Sequence, residues 1–178
     1  MRAPLLTRLD ARDRALFGRW VIGDLTPLRT TRAWRALTHL GGARVSIAGV
    51  LLAYALGDTT VRAGAVEAGV ALLVSHLLVQ FVKRRVLRER PTVRVLEHAH
   101  VEVPDRFSFP SGHSAAAMSL GFAFAMALPA MAAPLILLAS LVGFSRVRLG
   151  VHYPGDVIVG QALAVLSVLL LRTLGAAS

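Results

Sequence analysis

Two histidines, three fixed cations and a carboxylate stand at set spacings in three short stretches of this chain. Lys83 is followed after six residues by Arg90-Pro91, then comes Pro110-Ser111-Gly112-His113, and Ser145-Arg146 precedes His152 and Asp156. Lys83, Arg90 and Arg146 bring positive charge for an oxyanion, and each arginine offers a two-pronged fork to phosphoryl oxygens. Ser111 is placed to cap a helix that opens at Gly112, where free N–H groups, the helix dipole and an uncluttered backbone favour an anion. His152 and Asp156 are four apart, so at a helix start the carboxylate can accept from one ring nitrogen and leave the other to attack phosphorus. His113 can protonate a departing alkoxide and then deprotonate the incoming water. Preorganised donors of this kind act on the charge that develops on the equatorial oxygens in phosphoryl transfer. Such a site calls for no metal and no cofactor.

These residues need elements to hold them, and the composition says which. At 178 residues, 55% hydrophobic and a mean hydropathy of +0.62, the chain has room for one domain and is too apolar for an ordinary soluble core. The sequence holds no cysteine, which excludes disulfides and thiolate metal sites. A net charge of +10 could serve nucleic acid, but the cations flank long apolar runs, which favours anionic headgroups instead. Met1 to Arg19 is charged and interrupted, unlike a signal peptide.

Residues 1–39 read as two amphipathic helices broken at Thr26-Pro27, lying at the interface with Trp20 and Trp34 at headgroup depth. Residues 40–178 read as the catalytic domain. Its expected spans are Leu40 to Gly57, Ala63 to Val82, two helices cut from Ser114–Phe144 by Pro129 and Pro134, and Val157 to Leu171. The expected fold is an all-α integral-membrane bundle of five to six spans, because lipid leaves backbone groups only helices or closed barrels. With that order the three motifs reach one membrane face. His76, Gln80 and Lys83, spaced i, i+4, i+7, share a side of the second span, and the first two are read as interhelical hydrogen-bonding groups. Glu67 points the other way, toward water at the far interface. Glu97 to Glu102, with Asp105 beyond, alternates imidazole and carboxylate, and reads as a short extended segment rather than a metal site.

Lys83-x6-Arg90-Pro91, Pro110-Ser111-Gly112-His113 and Ser145-Arg146-x5-His152-x3-Asp156 resemble the three signature motifs of the phosphatidic acid phosphatase type 2 superfamily. The resemblance implies a haloperoxidase-like core and a metal-independent phosphatase. It implies His152 as nucleophile, Asp156 as its orienting partner and His113 as acid and base, with Lys83, Arg90, Ser111, Gly112 and Arg146 binding phosphate. It also implies a membrane-anchored lipid phosphate as substrate. Candidates are a decaprenylphosphoryl-5-phosphoribose, an undecaprenyl diphosphate, a phosphatidylglycerophosphate and a phosphatidate. A silent membrane scaffold that keeps the fold is the alternative of another class. Of the 20 Lys and Arg residues, 18 fall on the motif face and two, Arg62 and Arg172, on the other. The positive-inside rule therefore puts the site on the cytoplasmic face, whereas the resemblance implies an outward site for family members that act on recycled cell-wall lipid carriers. The Arg-, Ala- and Val-rich, Lys-poor usage resembles that of a high-GC bacterium, so the expected membrane is a bacterial plasma membrane.

Overall fold

The computed structural model describes residues 4–23, 25–91 and 105–175, with side chains from residue 10 onward. Seven α-helices are formed among them: α1 (Pro4–Trp20), α2 (Leu28–His39), α3 (Ala43–Leu56), α4 (Thr59–Val86), α5 (Gly112–Ala127), α6 (Ala132–Arg148) and α7 (Pro154–Gly175). The strand-like pairing recorded among the described residues is a single antiparallel bridge between Glu89 and Phe107.

Local chemistry sets the helix ends. Asp58 caps α4 by accepting the Val61 N–H at 2.9 Å, and Leu87 stops it in the left-handed region at φ 50°. Lys83, Arg84 and Arg85 occupy its last turn, where cations oppose the negative end of the helix dipole. Pro129 opens a single 3-10 turn, Pro129–Met131, that separates α5 from α6. Pro134 sits in the first turn of α6, where its missing N–H costs nothing.

α5 is the hub, packed against α4, α6 and α7. Its buried side is Ser114, Ala115, Ala116, Ala117, Met118, Ser119, Gly121, Ala123 and Ala125, mostly small residues that let helix backbones approach. Ser75 of α4 and Ser119 of α5 share a buried hydrogen bond of 2.9 Å. Large apolar side chains such as Leu51, Leu73, Leu77, Phe81, Leu137, Ile158 and Leu170 are exposed. Small inside and large outside is the pattern of a bundle whose solvent is hydrocarbon, since lipid gives no penalty for exposed leucine.

Three segments are long and apolar enough to cross a membrane: Thr59–Val86, Pro129–Arg148 and Pro154–Gly175. α2 and α3, bent by 56° across a short break, count as a fourth if taken as one span. The expected first span is thus realised as a 14-residue α3, about 21 Å at 1.5 Å per residue, continued at an angle by α2. α5, at 16 residues, is also short for a span and is instead enclosed by longer neighbours.

Candidate active site

The three motifs sit on the termini of α4, α5, α6 and α7 and in the loops beside them. Ser111 begins α5 by accepting Ser114 N–H at 3.4 Å and Ser114 Oγ–H at 2.9 Å, and its own N–H donates to the Asp156 carbonyl at 2.9 Å. At the end of α6, Gly150 takes φ 78°, a turn open to a residue without Cβ. That turn brings the N–H groups of Val151 and His152 back to the Arg146 carbonyl at 3.1 and 3.3 Å. Arg146 and His152 are thereby tied through backbone before their side chains act.

Lys83, Arg90, Gly112, His113, Arg146 and His152 line one cavity of about 460 Å³. Ser111 is fully buried behind it, and Asp156 lies beneath His152. Arg90 donates to the Val151 carbonyl at 2.9 Å and to His152 Nε2 at 3.0 Å. A guanidinium has no acceptor, so Nε2 must present its lone pair and the ring proton belongs on Nδ1. Nδ1 lies 3.5 Å from Asp156 Oδ2, within ion-pair range but beyond a hydrogen bond, and has no hydrogen-bond partner among the described residues. The carboxylate is already engaged. Oδ2 accepts the Tyr153 N–H at 2.8 Å, and Oδ1 accepts from Arg88 at 2.7 Å. Burial drives the His152 pKa well below 6.5, and Arg90, Arg146 and Lys83 add to the effect, so in the free protein the ring is neutral, with its Nε2 lone pair held by the Arg90 N–H.

Two residues that the motif spacing did not single out organise the cations. Asp105 accepts from Lys83 at 2.9 Å and from Arg90 at 3.1 Å, while its carbonyl takes Arg90 Nε–H at 2.8 Å. Burial raises the Asp105 pKa, but the Lys83 and Arg90 charges outweigh it and hold the carboxyl below its ordinary value. Asp105 is therefore an ion-pair partner, and the His/Glu segment before it, residues 97–102, lies outside the described residues. No cluster of three or more metal-ligating side chains is formed among the described residues.

Arg88 is the second. It reaches Asp156, Asp13 (2.7 Å) and Asp10 (2.8 Å), and lies 4.0 Å over the Tyr153 ring. Burial opposes its charge, and the carboxylates of Asp156 and Asp13 reverse that, leaving its pKa raised. Asp13 also accepts the Gly155 N–H at 2.7 Å, and Phe17 packs edge-on against Tyr153 at 5.3 Å. α1 is thus clasped to the loop that carries His152. Only a signal in the first helix, Asp10 and Asp13 one turn apart ahead of Phe17, could have pointed to this.

Arg146 donates to Thr38 Oγ of α2 at 2.7 Å, and its buried Nε is unpartnered among the described residues. Around the cavity, three cations face one carboxylate, Asp105. That surplus of two positive charges suits a phosphate group, which carries about −1.5 to −2 at neutral pH.

A family model described as the PAP2 superfamily matches residues 64–177, more than half of the chain. The chain belongs to the PAP2 superfamily. It is 35% identical over 133 residues to a decaprenylphosphoryl-5-phosphoribose phosphatase of Mycobacterium tuberculosis, covering 72% of this chain and 71% of that one. It is 29% identical over 123 residues to the undecaprenyl-diphosphatase BcrC of Bacillus subtilis, covering 68% and 64%. Its fold is similar to the crystal structure of a transmembrane PAP2 type phosphatidylglycerolphosphate phosphatase from Bacillus subtilis. There the TM-score is 0.76 at 23% identity, over 95% of this chain and 87% of the other. With its apolar helices, this PAP2 chain is an integral membrane protein.

Apart from His76 and Gln80, the rest of the PAP2 cavity is apolar. It continues from the cations along α4 past Val79, Leu72, Leu73 and Gly69 to Ile47 of α3. One chamber therefore joins a charged end to a hydrocarbon-compatible end, where the lining residues Leu73 and Ile47 are themselves exposed.

Proposed function

We propose that this protein is a membrane lipid phosphate phosphatase acting through a phosphohistidine on His152, with a decaprenylphosphoryl-5-phosphoribose-like lipid as its substrate. The observation that carries the reading is the single cavity in which both histidines and the three cations meet an apolar groove. The relative named for that lipid, 35% identical over most of both chains, supports the substrate class.

In this reading the phosphate enters the cradle of Lys83, Arg90 and Arg146, with the α5 N-terminus at Ser111 and Gly112 as a further donor set. Arg90 turns its N–H from His152 Nε2 to a phosphoryl oxygen, Nε2 forms a bond to phosphorus, and the ester P–O bond breaks. The leaving oxygen keeps the electron pair and takes a proton from His113, which must bind that proton together with the anionic substrate, because burial and the Arg146 and Arg90 charges keep its ring neutral in the free protein. Water then attacks phosphorus and yields its proton to His113, and the P–N bond breaks to restore His152. Asp156 steadies the Nδ1–H side of the ring, with the 3.5 Å approach shortening as positive charge develops there.

In this scheme α1 lies at the membrane surface and α2 bends from it toward α3, residues 40–178 form the catalytic domain, and the site faces the cytoplasm of a bacterial plasma membrane. The lysine and arginine distribution supports that sidedness. The deciding measurement is phosphate release from a panel of lipid phosphates in detergent with chelator present. Wild-type turnover with loss of at least about 1,000-fold in His152→Ala is expected for a nucleophile. Equal rates in the two proteins would remove His152 from the chemistry.

A further inference from the structure

Between the charged and apolar ends of the cavity stand two polar side chains that the chemistry above does not use. His76 and Gln80 lie on α4, seven and three residues before Lys83, and both line the cavity. At 1.5 Å per residue they stand about 10.5 and 4.5 Å from Lys83 along the helix axis. Sequence spacing suggested interhelical hydrogen bonds for them, but neither side chain has a hydrogen-bond or ion-pair partner among the described residues. Ser75, their neighbour, makes the interhelical contact instead. Beyond His76 the lining is hydrocarbon: Leu72, Leu73, Gly69 and Ile47.

Polar groups facing a cavity that opens to lipid must find a partner or lose hydration without compensation. A substrate whose phosphate is joined directly to a hydrocarbon tail would draw methylenes past both of them. One that carries a polar unit about two helical turns long between phosphate and tail would give both a partner and still leave its tail to Leu72, Leu73 and Ile47.

We infer that His76 and Gln80 form a linker subsite, which selects lipids whose scissile phosphate is separated from the hydrocarbon by a hydroxylated or phosphodiester-containing unit. The inference rests on the phosphatase reading and names the part of the substrate that this site measures. The amide of Gln80 meets the unit next to the scissile phosphate, and the imidazole of His76 meets its far end, where the tail begins. Neither residue touches the reacting atoms; both set which lipid is held in register with His152 Nε2.

The test compares two lipids with the same decaprenyl tail, one with phosphate attached directly and one with ribose 5-phosphate joined through a phosphodiester. Wild type, His76→Ala, Gln80→Ala and the double variant are measured on both in the same detergent. Wild type should prefer the linked lipid, and the double variant should lose at least about tenfold of that preference in kcat/KM, chiefly through KM. His76→Asn, which keeps a hydrogen-bonding group, should recover part of it. Equal losses on both lipids would mean a structural role, and an unchanged ratio or a wild-type preference for the direct ester would also overturn the subsite while leaving the phosphatase intact. Wild-type release from neither lipid, at the rate of His152→Ala, would instead remove the phosphatase reading and the subsite with it.

Discussion

At the scale of residues, the site depends on side chains that hold the reacting groups as much as on those groups themselves. Arg88 supplies the cation that Asp156 keeps on Oδ1, and Asp156 is fully buried. Removing one member of a buried pair leaves an uncompensated charge, a loss of about 3–5 kcal/mol when the pair is fully enclosed. Arg88 is 18% exposed, so solvent relieves part of that. Arg88→Ala is expected to lower kcat about 100-fold through a misplaced His152, with KM little changed. Arg88→Lys should restore part of kcat, and a KM effect alone would show that Arg88 binds substrate instead. The buried His152 ring gives a second prediction. Its pKa lies well below 6.5, so the unfolded chain takes up a proton near pH 6.5 that the folded one does not. The stability this contributes is complete above pH 6.5 and drains as the pH falls toward the folded value. In NMR of ring-labelled protein without substrate, the His152 resonance, assigned by its absence in His152→Asn, should keep its neutral position at pH 6. Titration centred at 6.5 would contradict the burial argument.

At the scale of elements, helix ends bring distant motifs together only because α5 and α7 meet closely. Gly160 of α7 lies against the Ser111 backbone, and a Cβ there would stand 2.5 Å from the Ser111 carbonyl oxygen. Since that neighbour is main chain, it cannot swing aside. Gly160→Ala should cost about 1–3 kcal/mol by overpacking, seen as a melting temperature lower by roughly 2–12 °C in detergent. It should also depress kcat/KM, because Ser111 begins the helix whose N-terminus faces the phosphate site. A variant with unchanged melting temperature and activity would show that the two helices have room to part. α1 enters through the same logic of contact: Asp10 and Asp13 on Arg88, Asp13 on the Gly155 N–H, and Phe17 on Tyr153. An amphipathic surface helix thus braces the loop that carries His152.

At the scale of the whole molecule, charge is divided along the bundle. The motif end carries most of the lysine and arginine, while at the opposite end Arg172 is held by Glu67 in a two-pronged pair of 2.6 and 2.7 Å. Glu67 therefore finds an arginine rather than bulk water, contrary to the expectation from its helix angle. Sidedness can be read with single cysteines, since the natural chain has none. Leu25, fully exposed between α1 and α2 at the motif end, and Thr60 at the far end are suitable places. In intact spheroplasts an impermeant thiol reagent should modify Thr60→Cys and reach Leu25→Cys only after lysis. The reverse pattern would put the active site outside.

Local sequence was enough to determine the family and the class of fold. Motif residues lie within a few positions of a helix terminus, where capping, dipole and spacing rules act directly, and apolar runs separated by Pro129 and Pro134 can only be helices in lipid. Ser111 as a cap, the break at Pro129 and the shared side of His76, Gln80 and Lys83 were legible for that reason. Tertiary structure alone decided what holds these parts. Arg88 pairs with a residue 68 positions away, Glu67 with one 105 away and Asp13 with one 142 away. Such partnerships follow from how each helix is rotated and how closely small residues let it approach, and spacing along one chain does not encode either quantity. The same rotation turned His76 and Gln80 away from neighbouring helices and into the cavity.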